Sequence, residues 1–168
     1  MNDIIFRLAS TDSELQQCFA IRHSVFVEEQ KIFIKTDQDK FDNSALHIVG
    51  INITEQKIIS TVRCHLTQDN IWYGSRLSVK KEYRNHSNRI GVKLCQFAQK
   101  TVTNHDAKRF FAYVQLPNIK FFEGLKWQKV GDPVKYCGLP HQLMEADLFR
   151  RTKNSEGFSI GRSESVYV

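Results

Sequence analysis

In Ile71-Trp72-Tyr73-Gly74-Ser75-Arg76-Leu77-Ser78-Val79-Lys80-Lys81-Glu82-Tyr83-Arg84-Asn85-His86-Ser87-Asn88-Arg89-Ile90-Gly91-Val92-Lys93-Leu94-Cys95-Gln96-Phe97-Ala98, an aromatic and aliphatic run passes through a polar, basic segment into a run with helical spacing. This predicts a strand over residues 71–79, a connection over 80–89 and a helix from Ile90 to about Asn104. A helix start carries backbone amides without partners and a partial positive charge, which suits a phosphate-bearing ligand. Arg84 and Arg89 in the connection can add charge-assisted hydrogen bonds, and Gly91 falls in the first turn.

Charge is concentrated at the same junction. The 168 residues hold 24 Lys plus Arg against 18 Asp plus Glu, a formal excess of +6. Residues 76–109 hold nine bases and two acids, whereas residues 1–45 hold five bases and eight acids. A local basic segment can meet the phosphates of nucleic acid or of a nucleotide cofactor, or it can be a solvated face. Base-stacking aromatics are not interleaved with these lysines and arginines, which argues against a nucleic-acid-binding module.

Working outward, residues 4–8 read as a short strand, and Thr11-Asp12-Ser13-Glu14 has the spacing of a capping box that opens a helix running from Asp12 to about Val27. The acid-rich stretch 28–44 reads as a loop or an irregular helical piece. Residues 46–53 and 58–66 join 71–79 as three strands of an antiparallel meander. Residues 109–116 predict a buried strand, and Pro117-Asn118 a short helix through Leu125, with Pro in a first turn where its missing N–H does no harm. Residues 129–137 and 141–149 close the pattern as two strands around Gly138-Leu139-Pro140. The order of strand, helix, three strands, helix, strand, helix and two strands implies an α+β fold, a mixed sheet flanked by helices. One domain is expected over residues 1–149, with a flexible or surface-draped tail over 150–168 where large apolar residues become scarce.

Several segments resemble the GNAT superfamily of N-acetyltransferases. Leu77-Ser78-Val79, then Tyr83-Arg84 and Arg89-Ile90-Gly91, are similar to its strand-end and phosphate-turn signature. Val114-Gln115-Leu116-Pro117-Asn118 and Phe121-Phe122-Glu123-Gly124-Leu125-Lys126-Trp127 resemble its later strand and Asn-initiated helix. Trp72–Leu77, Ala112–Leu116 and Cys137–Leu148 look like the nitrogen-starvation-associated branch, Gly138-Leu139-Pro140-His141 is similar to ElaA-type acyltransferases, and Arg22–Phe26 with Asp39 and Asp42 resembles the N-acylhomoserine lactone synthases. Two positions depart from the superfamily: the phosphate turn is about two residues longer and lacks its first glycine, and Phe122 stands where many members carry a tyrosine acid. Asn85 and Asn88 are expected to supply the positive φ that the missing glycine would have given.

The resemblance implies acetyl-CoA as co-substrate and direct attack of an amine on its thioester. Leu77, Ser78 and Val79 would face the pantetheine arm; Arg84, Asn88, Arg89, Ile90 and Gly91 the pyrophosphate; Asn118 and Phe122 the region of the thiol. Of the remaining side chains, Glu28 is a candidate base at the end of the first helix, and His141 a candidate substrate or catalytic group after a tight turn. Cys137 is a candidate thiolate protonator or acyl-accepting nucleophile, set against the plainer expectation of a packed thiol. Arg63 and Arg76 are expected to point outward and clamp a substrate carboxylate, and the acidic stretch that includes Asp42 to attract a cationic substrate.

The remaining expectations are bounds. Cys18, Cys64, Cys95 and Cys137 are far apart without a CxxC pair, so neither zinc nor a disulfide framework is expected. The other histidines show no metal spacing. Apolar runs are strand length, far short of the roughly 20 residues that span a membrane. Met1-Asn2-Asp3 lacks the basic start of a secretory signal, which implies a cytoplasmic protein. The expected partners are coenzyme A and a small-molecule amine, with neither nucleic acid nor membrane; a homodimer is left open. Two further readings stay open as well: transfer of a longer acyl chain, and a coenzyme A sensor without catalysis.

Overall fold

The computed structural model describes residues 3–85 and 87–149. Strand β1 (Ile4–Leu8) leads into helix α1 (Asp12–His23), which continues as a π-helical segment over Ser24–Glu29. There follow β2 (Leu46–Asn52), β3 (Lys57–Leu66), β4 (Ile71–Val79), α2 (Ile90–Asn104), β5 (Arg109–Gln115), α3 (Ile119–Gly124), β6 (Gln128–Lys129), β7 (Val134–Tyr136) and β8 (Leu139–Glu145). The sheet order is β1-β2-β3-β4-β5-β8-β6, with β7 also paired to β8, and every pair is antiparallel except β4 with β5. This is the mixed, helix-flanked α+β sheet that the order of elements implied.

The helices divide between the two faces because neighbouring strand residues point oppositely. Ile48 packs into the main core with Val92, Leu94, Cys95, Ala98 and Val102 of α2 and with Phe121 and Phe122 of α3. Its neighbour Val49 packs with Cys18 and Ile21 of α1. Local signals act as physics requires at the first helix: Thr11 Oγ1 accepts the Glu14 amide at 3.1 Å. The Glu14 carboxylate, however, takes the Ser10 amide at 2.7 Å and the Arg7 guanidinium at 2.6 Å in place of closing the box on Thr11.

Three boundaries differ from expectation. The first helix does not stop near Val27 but widens into the π segment through Glu29, ending with Gln30 N donating to Val25 O at 2.9 Å. The strand expected over 129–137 is split into β6 and β7, because Pro133 has no N–H for a ladder and Gly131 turns the chain at φ +67. The last strand starts at Leu139 and ends at Glu145. The expected tail, residues 150–168, lies outside the described residues.

Two irregularities shape β4. Its register with β3 shifts between Thr61 and Arg63, and Arg76 at the shift has φ +58, so β4 carries a bulge there. Its pairing with β5 covers only Ile71–Tyr73 against Arg109–Phe111. Beyond Tyr73 the two parallel strands part, leaving a wedge with the free edge of β4 on one side and Ala112–Gln115 on the other.

Candidate active site

The wedge opens toward the C-terminal ends of β4 and β5, where parallel strands commonly place ligands. β4 remains bonded to β3 through Val79, so its other edge over Gly74–Val79 has backbone groups that β5 does not satisfy. Leu77 (1% exposed) and Val79 (7%) turn their side chains into the core on the α2 face. Ser78 faces the other way, its Oγ donating to Arg76 O at 3.3 Å. These residues can therefore meet an extended ligand only through their backbone, by strand addition.

The basic connection carries the chain from β4 to α2. Arg84 Nε donates to Val79 O at 2.7 Å, and its Nη atoms hold Glu29 of the π segment at 2.6 and 2.9 Å. Asn85 Oδ1 accepts the Asn88 amide at 3.1 Å and the Ser87 hydroxyl at 2.9 Å. Among the described residues of this connection, positive φ is found at Arg89, at φ +47, and not at Asn85 or Asn88. Arg89 is also the N-cap of α2 and makes no side-chain cap bond. The first-turn amides of Ile90 and Gly91 are thus uncapped among the described residues and set beside the arginines. Ile90 itself is core, packed with Ile59 and Val79. His86, in the same connection, lies outside the described residues.

Across the wedge, Asn118 is 4% exposed at the start of α3, and Phe122 is 1% exposed against Phe121 and Trp127. Gly74, Ser75 and Leu77 of β4, Phe110 and Ala112 of β5, and Phe122 line a small cavity at the foot of the wedge, on the α2 side. The ring at the position of the superfamily's tyrosine is thereby part of the core.

On the opposite face the π segment and residues 30–44 cover the sheet through a buried ion network that the sequence did not reveal. Arg22 binds Asp37 at 2.7 Å and Asp42 at 2.7 and 3.1 Å; Arg76 binds Asp37 at 3.0 Å; Arg63 binds Asp39 at 2.6 and 3.1 Å. Burial pushes the Asp42 carboxyl up, but Arg22 more than offsets it and holds the group well below the usual carboxylate range. Arg63 (1% exposed) and Arg76 (4%) therefore do not point outward to clamp a carboxylate, and Asp42 (7%) does not offer its charge to a cation. Each already has its counter-charge, which is the condition under which such groups can be buried. The network also holds Arg76 in its left-handed conformation, and with it the bulge in β4.

Beyond the network a row of rings crosses this face. Phe41 stacks on His65 at 4.1 Å, His65 on Tyr73 at 5.7 Å, Tyr73 on Tyr113 at 6.1 Å and Tyr113 on Tyr136 at 5.2 Å, and Tyr136 meets His141 edge-on at 5.2 Å. Burial, reinforced by Arg63, pulls the His65 imidazole down to about 4, so it is neutral at ordinary pH. His141 (3% exposed) pairs with Gln115 across the β5–β8 ladder, at the open end of the wedge. Its Nδ1 donates to Leu139 O at 2.9 Å, and burial lowers its pKa. The alternation of His65, Tyr73 and Tyr113 with apolar neighbours is the only sequence signal for this row.

The remaining candidates lie apart from one another. Glu28 is exposed on the π segment, its carboxylate 3.5 Å from His23. Cys137 is exposed at the β7–β8 turn with φ +50, not packed, while Cys18, Cys64 and Cys95 are buried. Among the described residues no cluster of three or more His, Cys, Asp or Glu side chains could hold a metal, and no helix is long and apolar enough to cross a membrane.

The sequence matches the model of the acetyltransferase (GNAT) family over residues 10–126. It is 25% identical over 138 residues to a Bacillus subtilis (strain 168) protein named as an acetyltransferase, covering 80% of this chain and 90% of that one. In structure it is similar to a Lactobacillus plantarum protein described as an N-acetyltransferase, with TM-score 0.78, 22% identity and coverage of 88% of this chain and 100% of that one. It is likewise similar to Escherichia coli ElaA, with TM-score 0.74, 21% identity and coverage of 86% and 100%. BjaI, a CoA-dependent acyl-homoserine lactone synthase solved with SAM and isopentyl-CoA, has TM-score 0.72, 15% identity and coverage of 88% and 85%.

Proposed function

The chain belongs to the acetyltransferase (GNAT) family, and on that premise we propose that it is an acyl-CoA-dependent N-acyltransferase that uses acetyl-CoA or a close homologue and a small-molecule amine. The observation that carries this reading is the wedge where β4 and β5 part beyond Tyr73, with the uncapped start of α2 at its mouth. The residues fit coenzyme A: a free strand edge for an amide-bearing arm, open amides with Asn88 and Arg89 for phosphates, Arg84 being already engaged by Glu29 and Val79 O, and an apolar foot. The bound thioester supplies an activated acyl carbon and a thiolate leaving group.

The chain's own groups then do the following. Leu77 and the Val79 amide offer backbone groups along the free edge, Val79 O being held by Arg84 and the Ser78 backbone facing β3, and the donors among them can stabilise negative charge developing on the acyl oxygen. His141 Nε2 takes the proton that the attacking nitrogen loses as the new C–N bond forms and the C–S bond breaks. Phe122 has no hydroxyl, so the departing thiolate takes its proton from solvent. Glu28 and Cys137 have no part in this reading. Asp37, Asp39 and Asp42 are paired with Arg22, Arg63 and Arg76, so the acidity of the N-terminal third does not select the amine.

The test is calorimetric binding of coenzyme A and acetyl-CoA, followed by thiol release during an amine screen. Arg89→Glu is expected to weaken binding at least tenfold. Absence of binding to the native chain removes the proposal; binding without thiol release for any amine indicates a sensor.

A further inference from the structure

We propose that the amine acylated by this chain is a monoamine that carries an aromatic ring and no second charge, and that Tyr113 and Tyr136 hold that ring beside His141. The inference rests on the acyltransferase reading above and names its acceptor. Tyr73 is the last residue of β4 paired to β5, and Tyr113 lies two positions past the last pair on β5, so their rings stand on either side of the parting. Both are half-buried, as is Tyr136, and the three rings are nearly parallel, with centroids 6.1 and 5.2 Å apart. Tyr136 then meets the His141 ring at 5.2 Å. An amine whose nitrogen reaches His141 Nε2 has the rest of its body against these rings.

The rim beside His141 is apolar as well. Val134 is paired to His141 and Leu139 to Tyr136, so all four point to one face, and Val134 and Leu139 are 46% and 40% exposed. The polar group opposite His141 in the ladder is an amide: Gln115 Nε2 donates to Gln30 Oε1 at 3.1 Å. Two amides can accept a nitrogen-borne proton, but they carry no charge to balance one on the ligand.

Charge on this face excludes the commoner amines. Asp37, Asp39 and Asp42 are matched by Arg22, Arg63 and Arg76. Arg109 holds Glu145 at 2.8 Å while lying 4.6 Å over the Phe111 ring. Lys40 lies over Phe41, at the end of the row away from His141. Among the described residues that touch the row, no carboxylate is left for a second ammonium group, and no guanidinium for a carboxylate. A second charge on the ligand would lose water without gaining a partner. Ring faces and apolar side chains instead reward an apolar, flat body.

The experiment measures thiol release from acetyl-CoA with 2-phenylethylamine, propylamine, putrescine and phenylalanine, which separate the ring from a second ammonium and from a carboxylate. The kcat/KM for 2-phenylethylamine is expected to exceed that for propylamine about tenfold, and those for putrescine and phenylalanine by at least as much. Tyr113→Ala should bring 2-phenylethylamine down to the level of propylamine through KM, while Tyr113→Phe, which keeps the ring, should not. Tyr136→Ala, on the β7–β8 hairpin, serves the same purpose if Tyr113→Ala does not fold. Equal values for 2-phenylethylamine and propylamine, a preference for putrescine or phenylalanine, or a ratio unchanged in both alanine variants overturns the acceptor class alone. Thiol release with other amines but not with 2-phenylethylamine does the same. Failure of coenzyme A to bind, or binding without thiol release for any amine, overturns the underlying reading and the acceptor with it.

Discussion

His141 Nδ1 lies 2.9 Å from the carbonyl oxygen of Leu139, two residues earlier on the same strand. A carbonyl only accepts, so Nδ1 holds the proton of the neutral ring and Nε2 keeps its lone pair. Burial disfavours the imidazolium and lowers the pKa below its ordinary 6.5, so the basic form persists into mildly acidic solution.

A pH profile follows from that pair. Activity is expected to fall as pH drops through a value below 6.5 and His141 becomes protonated. His141→Gln should lower kcat about 10²–10⁴-fold and abolish this acid limb while coenzyme A still binds. A wild-type acid limb surviving in the variant would place the base elsewhere.

Asp37 joins Arg22 at 2.7 Å and Arg76 at 3.0 Å, and it is 2% exposed. Asp37→Ala leaves the three guanidinium groups of Arg22, Arg63 and Arg76 to share Asp39 and Asp42, one counter-charge short in the interior, and should cost about 3–5 kcal/mol in urea denaturation. Asp37→Asn, which keeps an acceptor, should cost less. Because the same carboxylate holds the β4 bulge at Arg76, coenzyme A affinity should fall in both. A loss below about 1 kcal/mol for the alanine variant would mean the network is not structural.

Phe122→Tyr tests whether the missing acid could simply be restored. The ring is 1% exposed and wedged against Trp127, so the new hydroxyl enters an apolar site and should destabilise by about 1–3 kcal/mol. No gain in kcat is expected. A tenfold rise would show that the ring reaches the departing thiol.

Cys137 is the exposed thiol among four, the other three being buried. Iodoacetamide should therefore modify one cysteine rapidly and three only on unfolding, with acyl transfer retained in the alkylated protein and in Cys137→Ser. Loss of activity in both would make Cys137 a catalytic residue.

Sequence alone determined the order of elements, the strand-to-helix junction at residues 71–98 and its basic character. Each is local: aromatic and aliphatic runs favour strands, 3.6-residue spacing favours α2, and the arginines need only be near a helix start. It also pointed to the family. It misplaced Arg63, Arg76 and Asp42, because charged residues read as solvent-facing until a partner is known, and their counter-charges sit 20 to 39 positions away in the chain. The π segment after His23 and the break at Pro133 were likewise decided by packing and by which ladder bonds could form.

Only the tertiary structure decided that β4 and β5 separate after three paired residues, that Gly74, Ala98 and Ala112 meet around one void, and that His141 stands opposite Gln115. These are juxtapositions of residues distant in the chain. No periodicity records them, because the pattern of a strand says which face is buried and not which neighbour buries it.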